Sequence, residues 1–169
     1  MKPLLYALTA GILGLALGYF TSGVLPQEVA SDLIKTLGNI TAIAGGLLGW
    51  SVSFLGQSRT ALKDHVTRAA IDTASKLAKK HLEIIDFWAF ALCAALLSIT
   101  LSVFLPAIQR NTDSYTTVYS VAVSLLFVSL YYVLLLFLNT RSLARLKNDL
   151  DELSHREAIR KHNLDGVQE

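Results

Sequence analysis

Four stretches of this chain contain no Asp, Glu, Lys or Arg and are each long enough to cross a bilayer: residues 4–25, 37–58, 87–105 and 117–138. A hydrocarbon core of about 30 Å is spanned by roughly 20 helical residues. Inside it, every backbone N–H and C=O must be satisfied within the segment, which makes a helix the natural form of each run. The expected fold class is all-α: an integral membrane protein with four transmembrane helices and cytoplasmic helical extensions. With 53% hydrophobic and 17% charged residues in 169, the chain has no room for a large soluble domain.

The segments between the runs set the order of parts. Lys2 precedes the first run and Pro26 ends it. A signal peptide is the competing reading of that run. Its length and the lack of a small-x-small cleavage site argue against one. Residues 27–36 read as a short polar link in which Ser31 could cap a short helix. Residues 58–86 are charged, yet Leu62, Val66, Ala69, Thr73, Leu77 and Ile84 recur at helical spacing. A bend near residues 72–75 is expected there, so that the next run can start on the side where the second ended. The expected division is 1–57 for transmembrane helices 1 and 2, 58–86 for an amphipathic link, 87–138 for helices 3 and 4, and 139–169 for a charged helical tail. Of the 15 Lys and Arg, 13 lie before the first run, in the link or in the tail, and only Lys35 and Arg110 lie on the other side. The positive-inside bias then puts both termini in the cytoplasm.

Two patterns point to helix–helix contact. Gly14 and Gly18 form a GxxxG in the first run, extended by Ala7, Gly11 and Ser22. Such spacing lets two backbones approach closely in lipid. The second run is two-faced. Asn39, Ala42, Gly45, Gly46, Gly49, Ser53, Gly56 and Gln57 fall on one side of a helix, and bulky residues cover the rest. Asn39, Gly46 and Ser53 recur every seven residues, as do Ala42, Gly49 and Gly56, the period of a left-handed packing seam. Three partners fit that face: the GxxxG of the first run, a second copy of the same helix, or the water of a pore. In the tail, Leu143, Leu146, Leu150 and Leu153 occupy a and d positions of a heptad, with Leu136 and Asn139 in the same register. They would join copies of the chain, dock a partner, or pack on the chain's own link.

The residues offer little chemistry. Cys93 sits in a membrane run and reads as a small packing residue. His65, His81, His155 and His162 make no metal-ligand spacing with a cysteine or with one another. No phosphate loop or dinucleotide fingerprint occurs. No enzyme, cofactor, metal site or nucleic-acid partner is expected. The lack of ionisable residues within the four runs argues against a proton pump or ion-coupled transporter. A pore needs no such groups, since Ser, Asn or the wetting of small residues can serve.

Four spans, a short first external loop, a glycine- and alanine-rich second span and a basic link, together with Phe54-Leu55 and Ser58-Arg59-Thr60 at the exit of the second span, resemble RexB. RexB is the membrane channel subunit of the phage lambda Rex exclusion system. The similarity covers residues 4–140. The longer link and the tail depart from it. The resemblance implies a bacterial inner-membrane channel that depolarises an infected cell when a cytosolic sensor protein activates it, ending phage growth. The expected function is a homo-oligomeric channel or pore effector of phage defence by abortive infection. The alternatives are a non-conducting membrane scaffold or partner subunit, and a holin-like lysis pore.

Overall fold

The computed structural model describes residues 2–56, 68–110 and 112–165, and these are helical almost throughout. Four helices follow one another: α1 Lys2–Thr21, α2 Gln27–Gly56, α3 Arg68–Phe104 and α4 Asp113–Asp165, with a 3-10 turn at Leu105–Ala107. Among the described residues, three helical stretches are long and apolar enough to cross a membrane: Leu4–Thr21, Arg68–Ala107 and Asp113–Arg160.

The helices run further than the polar segments suggest. Residues 27–36 are the first turns of α2 rather than a link. No Gly or Pro interrupts them. Glu28 suits the helix dipole in the first turn. Asp32 and Lys35 pair at 3.7 Å along one side. Ser31 caps nothing, because its hydroxyl donates across to the Ser102 carbonyl at 2.8 Å. The bend expected at residues 72–75 is absent too. Here α3 is continuous, Thr73 turns back onto its own Ala69 carbonyl at 2.9 Å, and Ala70, Ala74 and Leu77 are buried. Residues 58–67 of the link lie outside the described residues. At its far end α3 stops at Pro106, which cannot donate to the preceding turn. In α4, Thr112 caps the start by accepting from the Tyr115 N–H at 3.3 Å. With no Gly or Pro from residue 107 to 165, the fourth run and the tail form one helix about 80 Å long.

The central element is α4, which packs against each of the other three helices, while α2 also rests on α3. Two cores result. At the loop end, Ala30 and Ile34 of α2 meet Leu105 and Tyr115, Tyr119, Ala122 and Val123 of α4. The other core runs from Ala91 and Tyr132 down an antiparallel pair of helices, where Ala70, Ala74, Leu77 and Ile84 of α3 face Leu136, Leu143 and Leu150 of α4. Around the bundle the large apolar side chains point outward: Leu8, Ile12 and Phe20 on α1, Phe90, Leu97 and Phe104 on α3, and Leu134 and Phe137 on α4. Small residues and serines fill the inside. This inverts the pattern of a water-soluble bundle and fits a lipid surround. Cys93 is exposed in that apolar belt, which corrects its reading as a packing residue. Ala91, Ala94 and Ala95 are the buried small residues of that part of α3.

The α3–α4 pair beyond the apolar belt stands on a few leucines. Leu143→Ala and Leu150→Ala are each expected to cost about 2–5 kcal/mol. Hydrogen exchange of the Arg68–Ile84 amides measures this, and protection there should drop while that of α1 stays unchanged.

Candidate helix interfaces and the outward face of α2

The GxxxG of α1 lies on α4. A Cβ added at Gly14 would come within 2.7 Å of the Ser124 Cα, and one at Gly18 within 2.6 Å of the Ser120 Cα. Neither distance is tolerable, so only glycine permits this approach. Ser124 adds a hydrogen bond from its hydroxyl to the Gly11 carbonyl, 2.9 Å. Ala7 and Ser22 extend the buried line. One of the three partners considered for the second run, the GxxxG of the first, is thereby engaged elsewhere. The partner stripe, Ser120-x-x-x-Ser124 on α4, follows the same small-xxx-small rule.

The small face of α2 divides. Gly45 points at Leu92 and Val133, and Gly49 lies under the Trp88 indole. Gly46 has nothing within 4 Å, Ala42 is half-buried and Asn39 is exposed. Ser53 and Gly56 fall in the last turns of α2, and their surroundings lie outside the described residues, as does Gln57 altogether. The buried line of α2 is Ala30, Ile34, Gly38, Thr41, Gly45 and Gly49. Gly38 is as constrained as the GxxxG glycines, since a Cβ there would meet Ile99 at 2.6 Å. Sequence reasoning missed Ala30 and Ile34 because it started the helix at residue 37, and Gly38 and Thr41 because it drew the small face through Asn39, Ala42 and Gly46 instead. Extending the four-residue steps back through 27–36 would have found Ala30 and Ile34.

Serine hydroxyls join the helices at buried crossings. Ser31 donates to Ser102 O, Ser98 to Ala122 O and Ser129 to Ala91 O, each at 2.8 Å. Each bond spans two helices and satisfies a hydroxyl that would otherwise be stranded in an apolar interior. These serines are structural, and their oxygens are not free to line a water path. At the loop end, Gln27 holds the Leu105 and Ile108 carbonyls, and Arg110 reaches the Gly23 carbonyl at 3.1 Å.

The tail leucines face their own chain. Leu143 and Leu150 are fully buried, and Leu146 and Leu153 pack beside them, in the core shared with α3. Asn139 donates to the Leu135 carbonyl of its own helix at 2.7 Å and crosses to no other. Of the three partners considered for this heptad, the chain's own link is the one in place. Among the described residues no cluster of His, Cys, Asp or Glu could hold a metal ion.

Comparison of the chain with protein-family models, with curated proteins and with solved structures finds no match.

The glycine contacts separate two kinds of position. Gly18→Ala should destabilise the α1–α4 pairing by about 1–3 kcal/mol through overpacking on the Ser120 backbone. Gly46→Ala should be close to neutral, because its Cβ meets open space. Unfolding in mixed micelles, followed by proteolysis at the α1 end, measures the difference. Ser129→Ala, which leaves a carbonyl that α3 already uses, should cost only about 0.6 kcal/mol in the same assay.

Proposed function

We propose that the chain is the subunit of a homo-oligomeric ion channel in a bacterial inner membrane, with α2 as a fourth span and both termini in the cytoplasm. The observation that carries this reading is the outward face of α2. Asn39 is exposed and a Cβ added at Gly46 would meet open space, so two small or polar positions interrupt an outward face that otherwise carries exposed Ile40, Ile43, Leu47 and Trp50. Polar and small positions in lipid call for protein or water beside them. The other small seams, on α1 and on the buried side of α2, are used within the chain. The topology rests on the distribution of Lys and Arg. It sets the α3–α4 extension, about 28 Å long from Arg68 to Asp86, in the cytoplasm, where a sensor protein can reach it. The resemblance to RexB supplies the biological setting: depolarisation of an infected cell in phage defence.

A second reading, a non-conducting scaffold, is favoured by the satisfied serines and by the tail leucines that close on α3. Conduction decides between the two. Planar-bilayer recording of the purified protein should show discrete currents, reduced or abolished by Gly46→Leu. A Cβ there meets nothing within 4 Å among the described residues, so the change reports on another molecule that approaches α2. Silent bilayers, with normal expression and a monomeric protein, favour the scaffold. Expression in cells should collapse the membrane potential without release of cytosolic proteins. Release would mark a holin-like pore instead.

A further inference from the structure

A furrow runs beside the α1–α4 seam. The glycines of α1 bring the two backbones together, and the positions next to the seam are small on both helices: Ala16 on α1, Thr117 and Ser120 on α4. Ile12, Tyr19 and Val121 wall the space left between them, about 630 Å³. The hydroxyls of Thr117 and Ser120 donate back to the Asp113 and Thr116 carbonyls of their own helix, at 2.8 and 2.7 Å, so an occupant need not satisfy them. Depth follows from the crossings. Gly14 meets α4 at Ser124, and the Ser98–Ala122 and Ala91–Ser129 contacts set Leu96 at the same level, so Ser124 lies midway along the apolar runs 4–25 and 87–105. The furrow begins at Asp113 and reaches Ile12, just past that crossing. From Asp113 to Ser124 the rise is about 16 Å, against a hydrocarbon half-thickness of about 15 Å.

At the loop end the furrow opens into a polar pocket of about 280 Å³, and Asp113 and Thr116 line both. Ser22, Gly23, Arg110 and Thr112 complete it. Arg110 donates from Nη2 to the Gly23 carbonyl at 3.1 Å, which anchors the guanidinium and occupies one of its five N–H donors. Asp113 brings a carboxylate to the same pocket. Among the described residues neither charge has an ion-pair partner. Asp113 stands four residues, about 6 Å, outside the start of the run 117–138, at the depth of lipid headgroups.

We propose that the furrow and the pocket at its mouth form one site for a zwitterionic phospholipid whose headgroup ends in a primary ammonium. Its phosphate rests on Arg110, its ammonium on Asp113, and an acyl chain lies along Ala16, Thr117 and Ser120. Charge complementarity selects this occupant: a slot apolar through one leaflet, with one cation and one anion at its mouth, matches an amphiphile carrying one charge of each sign. A guanidinium takes phosphate oxygens through paired N–H donors. A primary ammonium gives the carboxylate N–H donors, which a quaternary ammonium lacks. A headgroup without an ammonium sets its phosphate beside Asp113, where like charges repel. The site belongs to the single chain and holds whether or not the protein conducts.

The test is native mass spectrometry of the full chain released from detergent micelles. Phosphatidylethanolamine, phosphatidylcholine and phosphatidylglycerol of identical acyl chains are added in turn. One phosphatidylethanolamine per chain should survive collision energies that strip the other two. Arg110→Gln should lower its retention severalfold, and Asp113→Asn should bring it to the level of phosphatidylcholine. Ala16→Phe and Thr117→Phe, at exposed positions on the two walls, fill the furrow and should each lower retention of all three lipids. Equal retention of the three lipids by the unaltered chain overturns the proposal. Retention unchanged by both phenylalanine variants also overturns it, because the lipid then sits elsewhere. A dimer that these variants separate, with no lipid lost, gives the furrow to a second copy and overturns it as well.

Discussion

The close approach of helix backbones, at positions where nothing larger than glycine, alanine or serine fits, governs this structure. In lipid there is no hydrophobic gain from bringing two apolar helices together, because lipid tails are as apolar as leucine. What remains is van der Waals contact at short range and hydrogen bonds across the seam. Gly14 and Gly18 against Ser124 and Ser120 give the first. Ser31, Ser98, Ser124 and Ser129, each donating to a carbonyl of a neighbouring helix, give the second. Because each of these serines holds one specific carbonyl, the seams fix height as well as proximity. A slide of one turn would strand a hydroxyl and drive a side chain into a glycine notch.

Beyond the apolar belt the rule changes within the same helices. From Ala70 to Ile84 on α3 and from Leu136 to Leu150 on α4, alanines face leucines in a small aqueous core of ordinary kind. One pair of helices thus carries two solvents' worth of packing, with serine and alanine at one end and leucine at the other. Helices without a Gly or Pro through the changeover transmit displacement rigidly. A force on the hairpin reaches the level of Ala91 and Ser129 without a joint to absorb it.

Much of this was legible from the residues. The apolar runs 4–25, 87–105 and 117–138 coincide with helices because a charge-free stretch of that length has one backbone solution in lipid. The GxxxG stood out as a close-contact element because its spacing is specific. Its partner did not, since Ser120 and Ser124 look like ordinary polar punctuation until α4 is placed beside α1. The continuity of α2 was hidden by Glu28, Asp32 and Lys35, which read as a link when charge alone marks boundaries. The same residues at i, i+4 and i+7 are one helical face, and no breaker separates them from Gly38. The single small face drawn on α2 mixed two directions for a related reason. It grouped Gly45 and Gly49, which face α3 and α4, with Gly46 and Asn39, which face away. A repeat of small residues tells that something approaches but not from which side.

The height of α2 is the last consequence of the glycine contacts, and it reframes that helix. Gly38 under Ile99 and Gly49 under Trp88 hold α2 with the centre of its apolar stretch, near Leu47, level with residues 89–90 of α3, nearer the hairpin than the centres of the runs on α1 and α3. The first turns sit at the loop end, where Gln27 holds the Leu105 and Ile108 carbonyls. The opposite end runs seven residues past the Trp88 crossing, about 10 Å, to the level where the α3–α4 hairpin begins. Hydropathy alone would centre residues 37–58 in the bilayer and leave the charges in water. The seam agrees with that at the loop end, where Ala30 and Ile34 pack on Leu105 and Tyr115. An α2 held at a level fixed by contacts with α3 will respond to any movement of α3. The α3–α4 hairpin beyond the apolar belt is continuous with that part of α3 and moves with it.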